Sequence, residues 1–303
     1  MEVWFADHDI DQPSHWSQTW SEADVDRSVA ALRGGRDPVH GLVRRLVRGM
    51  STGHALEHGC GFGRVAVLLR DMGWRVDGID FAMRGLVSAR RLGTPVVCGD
   101  VRALPVRSGT YDCAVSVGTV EHLREGPGQA LRELKRVLRP GGRAMVSVPL
   151  ENLLRRARGR IGSRPMRRHG LSVRRMHGGT SDAPGFYQYS FRVGEFGQEL
   201  SRAGFRLEET RPYSVFRGLA DQAAGGRALR ILQRRFGVGA AHPLSGDPVG
   251  ASRGAGSANE LRGRLVAYAR TAYDETDGTV LARITRAGLG PVSGHMMAYF
   301  VRA

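Results

Sequence analysis

From residue 53 to residue 149, short apolar runs alternate with stretches of helical period. Five runs read as strands: HALEHG (54–59), RVDGID (75–80), PVVCGD (95–100), YDCAVSVG (111–118) and RAMVSVP (143–149). Between them, GRVAVLLRDMG, AMRGLVSARRLG and GQALRELKRVLRPGG repeat apolar residues at helical spacing, and the last stops at Pro140-Gly141-Gly142. Strands alternating with helices of this length predict βαβ units and a mostly parallel sheet. Upstream, Val39, Leu42, Val43, Leu46, Val47 and Met50 share one helix face. Asp37 is placed to cap that helix, with Pro38 in its first turn.

Beyond residue 150 the rhythm breaks. Residues 151–180 are rich in Arg and Gly, and 220–260 in Ala, Gly, Ser and Pro, a loop composition. Residues 192–216 predict a helix, a break at Ala203-Gly204-Phe205 and a strand; residues 258–273 look helical, and GHMMAYFVRA reads as a last strand. The first 35 residues set Trp4, Phe5, Trp16 and Trp20 among polar positions. The expected organisation is an N-terminal lid segment (1–35) followed by one α/β domain (36–303). Insertions at about 151–185 and 217–293 are expected to recognise the substrate.

The segment ALEHGCGFGR (55–64) joins the first strand of this series to a helix through Gly59, Gly61 and Gly63. Glycine costs conformational entropy in regular structure, so three at alternate positions point to a tight turn and a close backbone approach to a ligand. A dinucleotide-binding fingerprint starting at Gly59 requires Gly or Ala at position 64, where the chain has Arg64. The next strand ends in Asp80, whose two oxygens match the paired hydroxyls of a ribose. The third strand also ends acidic, at Asp100.

These features, E-x-G-x-G-x-G at 57–63 with Asp80 and Asp100 in register, resemble the class I S-adenosylmethionine (SAM)-dependent methyltransferases. YDCAVSVGTVEHL followed by ALRELKRVLRPGGRAMVSVP is similar to the fourth strand, fourth helix and fifth strand of that family, and AGFRLEE and GHMMAYFVRA to its last strands. The resemblance implies a Rossmann-like seven-stranded, mostly parallel sheet flanked by helices, carrying inserted substrate-recognition elements. It implies SAM as cofactor and methyl transfer as activity. Gly59, Gly61 and Gly63 would pass the methionine part over bare backbone, with Glu57 positioning the loop or meeting the ammonium group. Asp80 would hold the ribose hydroxyls and Phe81 would lie near the adenine. Asp100 would accept from the adenine amine, with the Val101 backbone beside the ring. Ser116 and Val117 would face the methionyl end. Taken singly, the acids read rather as turn formers and Phe81 as core; the joint register favours the cofactor.

The cofactor brings its own electrophile, so the protein has to align the acceptor and exclude water. A base is needed only where the acceptor loses a proton, and His122 in VEHL is the candidate. The alternative is that Glu121 and His122 brace a short helix. Some quinone-pathway relatives carry E-x-x-E-H here and gather a metal with it. This chain has Gly118-Thr119-Val120-Glu121-His122, lacking the first carboxylate, so no metal is expected. The N-P-P-Y or D-P-P-Y motif of many nucleic-acid methyltransferases is also absent. The expected acceptor is therefore a small organic or lipid-like molecule, methylated on oxygen, nitrogen or carbon. Tyr187 and Tyr189 in FYQYSFR (186–192) fall on one face of an extended segment, lining either the acceptor pocket or the core.

Composition changes this picture in one respect. Of 303 residues 41% are hydrophobic and 24% charged, ordinary for a globular protein, but the formal net charge is +16 and Lys135 is the sole lysine. The arginine excess reads as a coding bias or as a basic surface. NLLRRARGRI (152–161) and RALRILQRRF (227–236) are basic and amphipathic: they suit peripheral contact with an anionic membrane, anionic groups of the acceptor, or a solvated face. The same charge motivates a second class of function, a nucleic-acid-binding protein or RNA methyltransferase on this fold. The intact cofactor motif, with no recognisable DNA- or RNA-binding module, weighs against it. Cys60, Cys98 and Cys113 are odd in number and lack C-x-x-C spacing, so neither a disulfide framework nor a zinc site is signalled. The start, MEVWFADHDIDQ, lacks an apolar signal-peptide core, and no run approaches the roughly 18 apolar residues of a membrane span. A cytoplasmic protein is expected. Asp80→Ala should weaken SAM binding by about 2–4 kcal/mol through loss of a paired ribose contact, as measured by calorimetry.

Overall fold

A computed structural model describes residues 2–6, 10, 13–21, 23–35, 37–159, 166–168, 171–176, 185–214, 288, 290 and 294–303. The first half contains β1 (Glu2–Phe5), α1 (Pro13–Ser21), α2 (Val25–Arg33), α3 (Val39–Leu46), β2 (His54–His58), α4 (Arg64–Asp71), β3 (Arg75–Asp80), α5 (Met83–Arg91), β4 (Val96–Cys98) and β5 (Tyr111–Val117). There follow α6 (Gly128–Val137), β6 (Leu138–Pro149), α7 (Leu153–Gly159), β7 (Met166–Arg168), β8 (Leu171–Met176), β9 (Phe186–Ser190), α8 (Val193–Arg202), β10 (Arg206–Tyr213) and β11 (Met296–Arg302).

Seven strands form the main sheet in the order β10-β11-β6-β5-β2-β3-β4. The pairs from β4 through to β6 are parallel, and β11 is antiparallel to both neighbours. The alternating side chains of the central strands serve two apolar layers. Leu56, Ala114 and Val146 pack with Leu131 and Leu134 of α6 and Phe196 and Leu200 of α8. Their neighbours Ala55, Cys113 and Met145 pack with Leu42 and Val43 of α3 and Val65 and Leu69 of α4. Strands buried on both faces explain why these segments read as continuous apolar runs. Strand order reverses between β2 and β5, and the turns at the carboxyl ends of these strands flank the crevice where such sheets hold ligands.

The predicted elements of 53–149 are all present, with one boundary displaced. Pro140-Gly141-Gly142 lies within β6, and α6 ends at Val137. The sheet accommodates the segment through a register shift opposite Tyr111 and Cys113, with Gly141 at φ +78°. Asp37 caps α3 by accepting from the Val39 N–H at 2.9 Å, and its other oxygen pairs with Arg64.

The N-terminal and 151–185 segments contribute a feature that local patterning does not indicate. A second sheet, β7-β8-β1-β9, joins β1 to strands more than 160 residues away. Arg155 fastens this layer to the main sheet. Only 4% exposed, its guanidinium donates to the Leu150 carbonyl (2.9 Å) and the Ser190 hydroxyl (3.4 Å), faces His295 Nδ1 at 3.0 Å and lies over the Trp4 ring. The helical wheel of 152–161 set the arginines away from the leucine face; instead Arg155 points inward and Leu153 is 51% exposed. The basic stretch 227–236, the helical stretch 258–273 and nearly all of the insertion at 217–293 lie outside the described residues. Among the described residues no helix is long and apolar enough to cross a membrane.

Candidate functional site

The glycine turn between β2 and α4 is held from beneath. Gly59, Gly61 and Gly63 have φ of +73°, +51° and +76°, a region that disfavours side chains. A Cβ at Gly59 would run into the Thr119 side chain, and one at Gly61 would meet the Trp20 indole at 2.9 Å. Glu57, at 6% exposure, accepts from the Val65 N–H (3.3 Å) and the Ala66 N–H (2.7 Å). It thus fills the first-turn amides of α4 with a carboxyl from the protein itself. Loops that cradle a phosphate leave those amides open to the ligand. This one suits a ligand without phosphate. Of the two roles expected for Glu57, the geometry displays the positioning of the loop.

Asp80 closes the same turn. Its Oδ2 accepts from the Gly61 N–H and its Oδ1 from the Ala82 N–H, both at 2.8 Å, and it is 7% exposed. Burial raises its pKa against the pull of these amides. Each oxygen retains a lone pair for a ribose hydroxyl. Phe81 is half-buried against the cluster of Trp4, Trp16, Ala82 and Tyr187. Asp100 is bound by Arg102, whose Nη2 lies 2.8 Å from Oδ2. Burial pushes the Asp100 carboxyl up, but the Arg102 hydrogen bonds outweigh it and hold the pKa low. An adenine amine at Asp100 has to share that carboxylate with Arg102. The Val101 carbonyl faces His58 Nε2 at 3.4 Å.

At the end of β5 the Ser116 side chain is fully buried, with its hydroxyl 3.1 Å from His58 Nδ1, which leaves its backbone as the part next to the crevice. Burial drives His58 down to about 4, so the pair is a neutral internal brace. Alternation along the strand leaves half-buried Val117 on the opposite face. Glu121 and His122 then follow in a short 3-10 turn. His122, 9% exposed, places Nδ1 2.8 Å from the Tyr187 carbonyl. A carbonyl only accepts, so Nδ1 carries hydrogen, and when the ring is neutral its lone pair is on Nε2. Glu121 Oε1 is 4.0 Å from that nitrogen.

Aromatic rings roof this end of the sheet. Trp16 of α1 stands edge-on to His122 with centroids 4.7 Å apart, and Tyr187 of β9 meets the other side at 5.3 Å. Trp16 stacks on Trp20 at 6.3 Å, and Trp20 meets Phe62 of the glycine turn at 5.4 Å. Tyr187 thus belongs to the roof. Tyr189, expected on the same face, packs with Phe186 and Phe191 and donates to the Arg124 carbonyl at 2.6 Å. The tie between His122 and Tyr187 spans 65 residues, so sequence spacing gives no signal for it. The partners Arg102 and His58 were likewise not foreseen, though Arg102 sits two positions from Asp100.

The glycine turn, the acids at the end of β3 and just past β4, and the filled amides of α4 fit SAM. Comparison with known proteins agrees. Residues 56–146 match the family described as "Methyltransferase domain". A protein of Mycolicibacterium smegmatis named "Probable S-adenosylmethionine-dependent methyltransferase" is 31% identical over 198 residues, 64% of this chain and 68% of that protein. A 37.1 kDa protein in transposon TN4556 of Streptomyces fradiae is 38% identical over 104 residues, 31% of this chain and 30% of that one. A tRNA (carboxymethyluridine(34)-5-O)-methyltransferase of Mus musculus is 34% identical over 92 residues, 30% of this chain and 14% of its own length. The chain belongs to the SAM-dependent methyltransferases.

Burial also gives the site a pH signature. Burial pushes Glu57 up to about 8, against its amide bonds and Arg64, and Glu121 to about 8. The folded protein therefore keeps protons that the unfolded chain has released above its ordinary carboxylate range, and stability falls as pH rises toward 8. His58 works in the opposite sense below its unfolded value of 6.5, so the clean window runs from pH 6.5 to 8. Urea unfolding should show stability dropping across that window by about 1–2 kcal/mol per carboxyl. Stability rising with pH there would contradict these assignments.

Proposed function

We propose that this chain moves the methyl group of SAM onto a small organic acceptor that loses a proton, seated between the end of β5 and the aromatic roof. The observation that carries this reading is the enclosure. Trp16, His122 and Tyr187 are 8%, 9% and 1% exposed. A base within a duplex has to be flipped out to reach so covered a site, whereas a small molecule enters as it is. Such enclosure also excludes water from the transfer. Nε2 of neutral His122 offers the base, held in place by the Tyr187 carbonyl. The match to the tRNA-modifying relative covers 14% of that protein, which leaves most of its length without a counterpart here. The inward turn of Arg155 removes one charge from the basic face on which a lipid-surface reading drew.

The test starts with a screen of metabolite extracts and total RNA using methyl-labelled SAM. Label is expected in a small-molecule fraction; label confined to RNA would overturn the acceptor assignment. On the acceptor so found, His122→Ala should lower kcat by about 10²–10⁴-fold while SAM affinity stays within a few-fold. Unchanged kcat would remove His122 as base.

A further inference from the structure

Three acids are buried around the cofactor crevice, and they are not equivalent. Glu57 and Asp80 each place both oxygens on backbone amides. Glu121 is the most buried of the three, 2% exposed, and its Oε2 has no hydrogen-bond partner among the described residues. Burial of a structural carboxyl is offset by such bonds on both oxygens; Glu121 has a backbone bond but an oxygen left over, which a ligand can satisfy. Its position says which ligand. Glu121 lies four residues past the end of β5, beyond the Val117 backbone expected to meet the methionyl end, and its carboxyl turns back onto that end of the strand: a Cβ at Gly118, the residue next after Val117, would stand 3.6 Å from Glu121 Oε1.

We propose that Glu121 supplies the negative charge that answers the cationic sulfur of the cofactor, releasing its proton from Oε2 as that cation enters and regaining one after the charge is gone. The inference rests on SAM being the cofactor. When bound, SAM supplies a methyl group on a sulfonium; the S–C bond breaks toward sulfur, and a neutral thioether remains. With the site empty, burial holds Glu121 protonated at neutral pH, up to about 8. Two groups face it among the described residues. His122 Nε2 stands 4.0 Å from Oε1. The Tyr213 hydroxyl, bonded to Ser147 Oγ at 2.9 Å, is coupled to Glu121, Asp37 and Arg64. Asp37 and Arg64 pair with each other, so neither sets the charge of Glu121. A proton that His122 takes from the acceptor has Glu121 as its neighbour, so the carboxylate can be reprotonated within the site.

Binding, rather than turnover, tests this. SAM and its demethylated product S-adenosylhomocysteine are titrated calorimetrically at pH 6 and pH 7, in two buffers of different ionisation enthalpy. That range lies below the titration of the ligand's own amino group. SAM affinity should rise about tenfold per pH unit with release of about one proton, while the affinity of the neutral-sulfur product stays flat. Glu121→Gln should abolish the pH slope and weaken SAM about tenfold or more, leaving the product within about threefold; Glu121→Ala serves where the amide variant does not fold. SAM binding with no pH slope, or with the same slope for both ligands, overturns the role of Glu121 and leaves the cofactor assignment standing. Binding of neither ligand overturns both.

Discussion

The turn from β2 into α4 holds because Glu57 and Asp80 together occupy three amides of the loop, those of Val65, Ala66 and Gly61. The three glycines make the turn sterically possible, but glycine leaves the backbone free to take many other shapes. The carboxyls select one. They also tie the loop to the ends of two adjacent parallel strands, β2 and β3, so Asp80 and the glycine backbone share a rigid frame. The same bonds close the helix N-terminus to a phosphate, and thus choose among the ligands that a glycine-rich turn serves.

The aromatic roof is built above this frame from parts remote in sequence. Trp16 and Trp20 arrive on α1, Tyr187 on β9, and the second sheet and Arg155 lock those segments to the first. Because Trp20 lies against Gly61 while Trp16 lies against His122, one helix touches both the cofactor turn and the proposed base. Movement of α1 would therefore open both halves of the crevice at once. The chain shares its sheet with its family, and in the proposed reading these outlying elements are where the acceptor is chosen.

The sheet was legible because its strands are buried on both faces and its helices keep a regular period; both signals are local. The glycine turn, Asp80 and Asp100 were legible because their spacing follows from the strand–turn–helix unit. For Ser116, strand position fixes the face but not the partner, and the partner that its hydroxyl finds within the chain is His58. Arg155 was misjudged because a helical wheel presumes that arginine faces water, whereas this one finds acceptors on β9 and after β6. The second sheet was not foreseen because β1 has only four residues, and its pairing depends on strands far along the chain. Glu121 was named, but as a brace; that its Oε2 is buried with no hydrogen-bond partner among the described residues is visible only in three dimensions.

The central claim is that the turn held by Glu57 and Asp80 is a SAM site, and equilibrium dialysis of the wild-type chain against labelled SAM tests it most directly. The account predicts saturable binding of one molecule per chain, half-saturated within the about 1 μM to 1 mM range usual for enzyme ligands, and competition by S-adenosylhomocysteine. Failure of the folded protein to retain label at about 1 mM would contradict it.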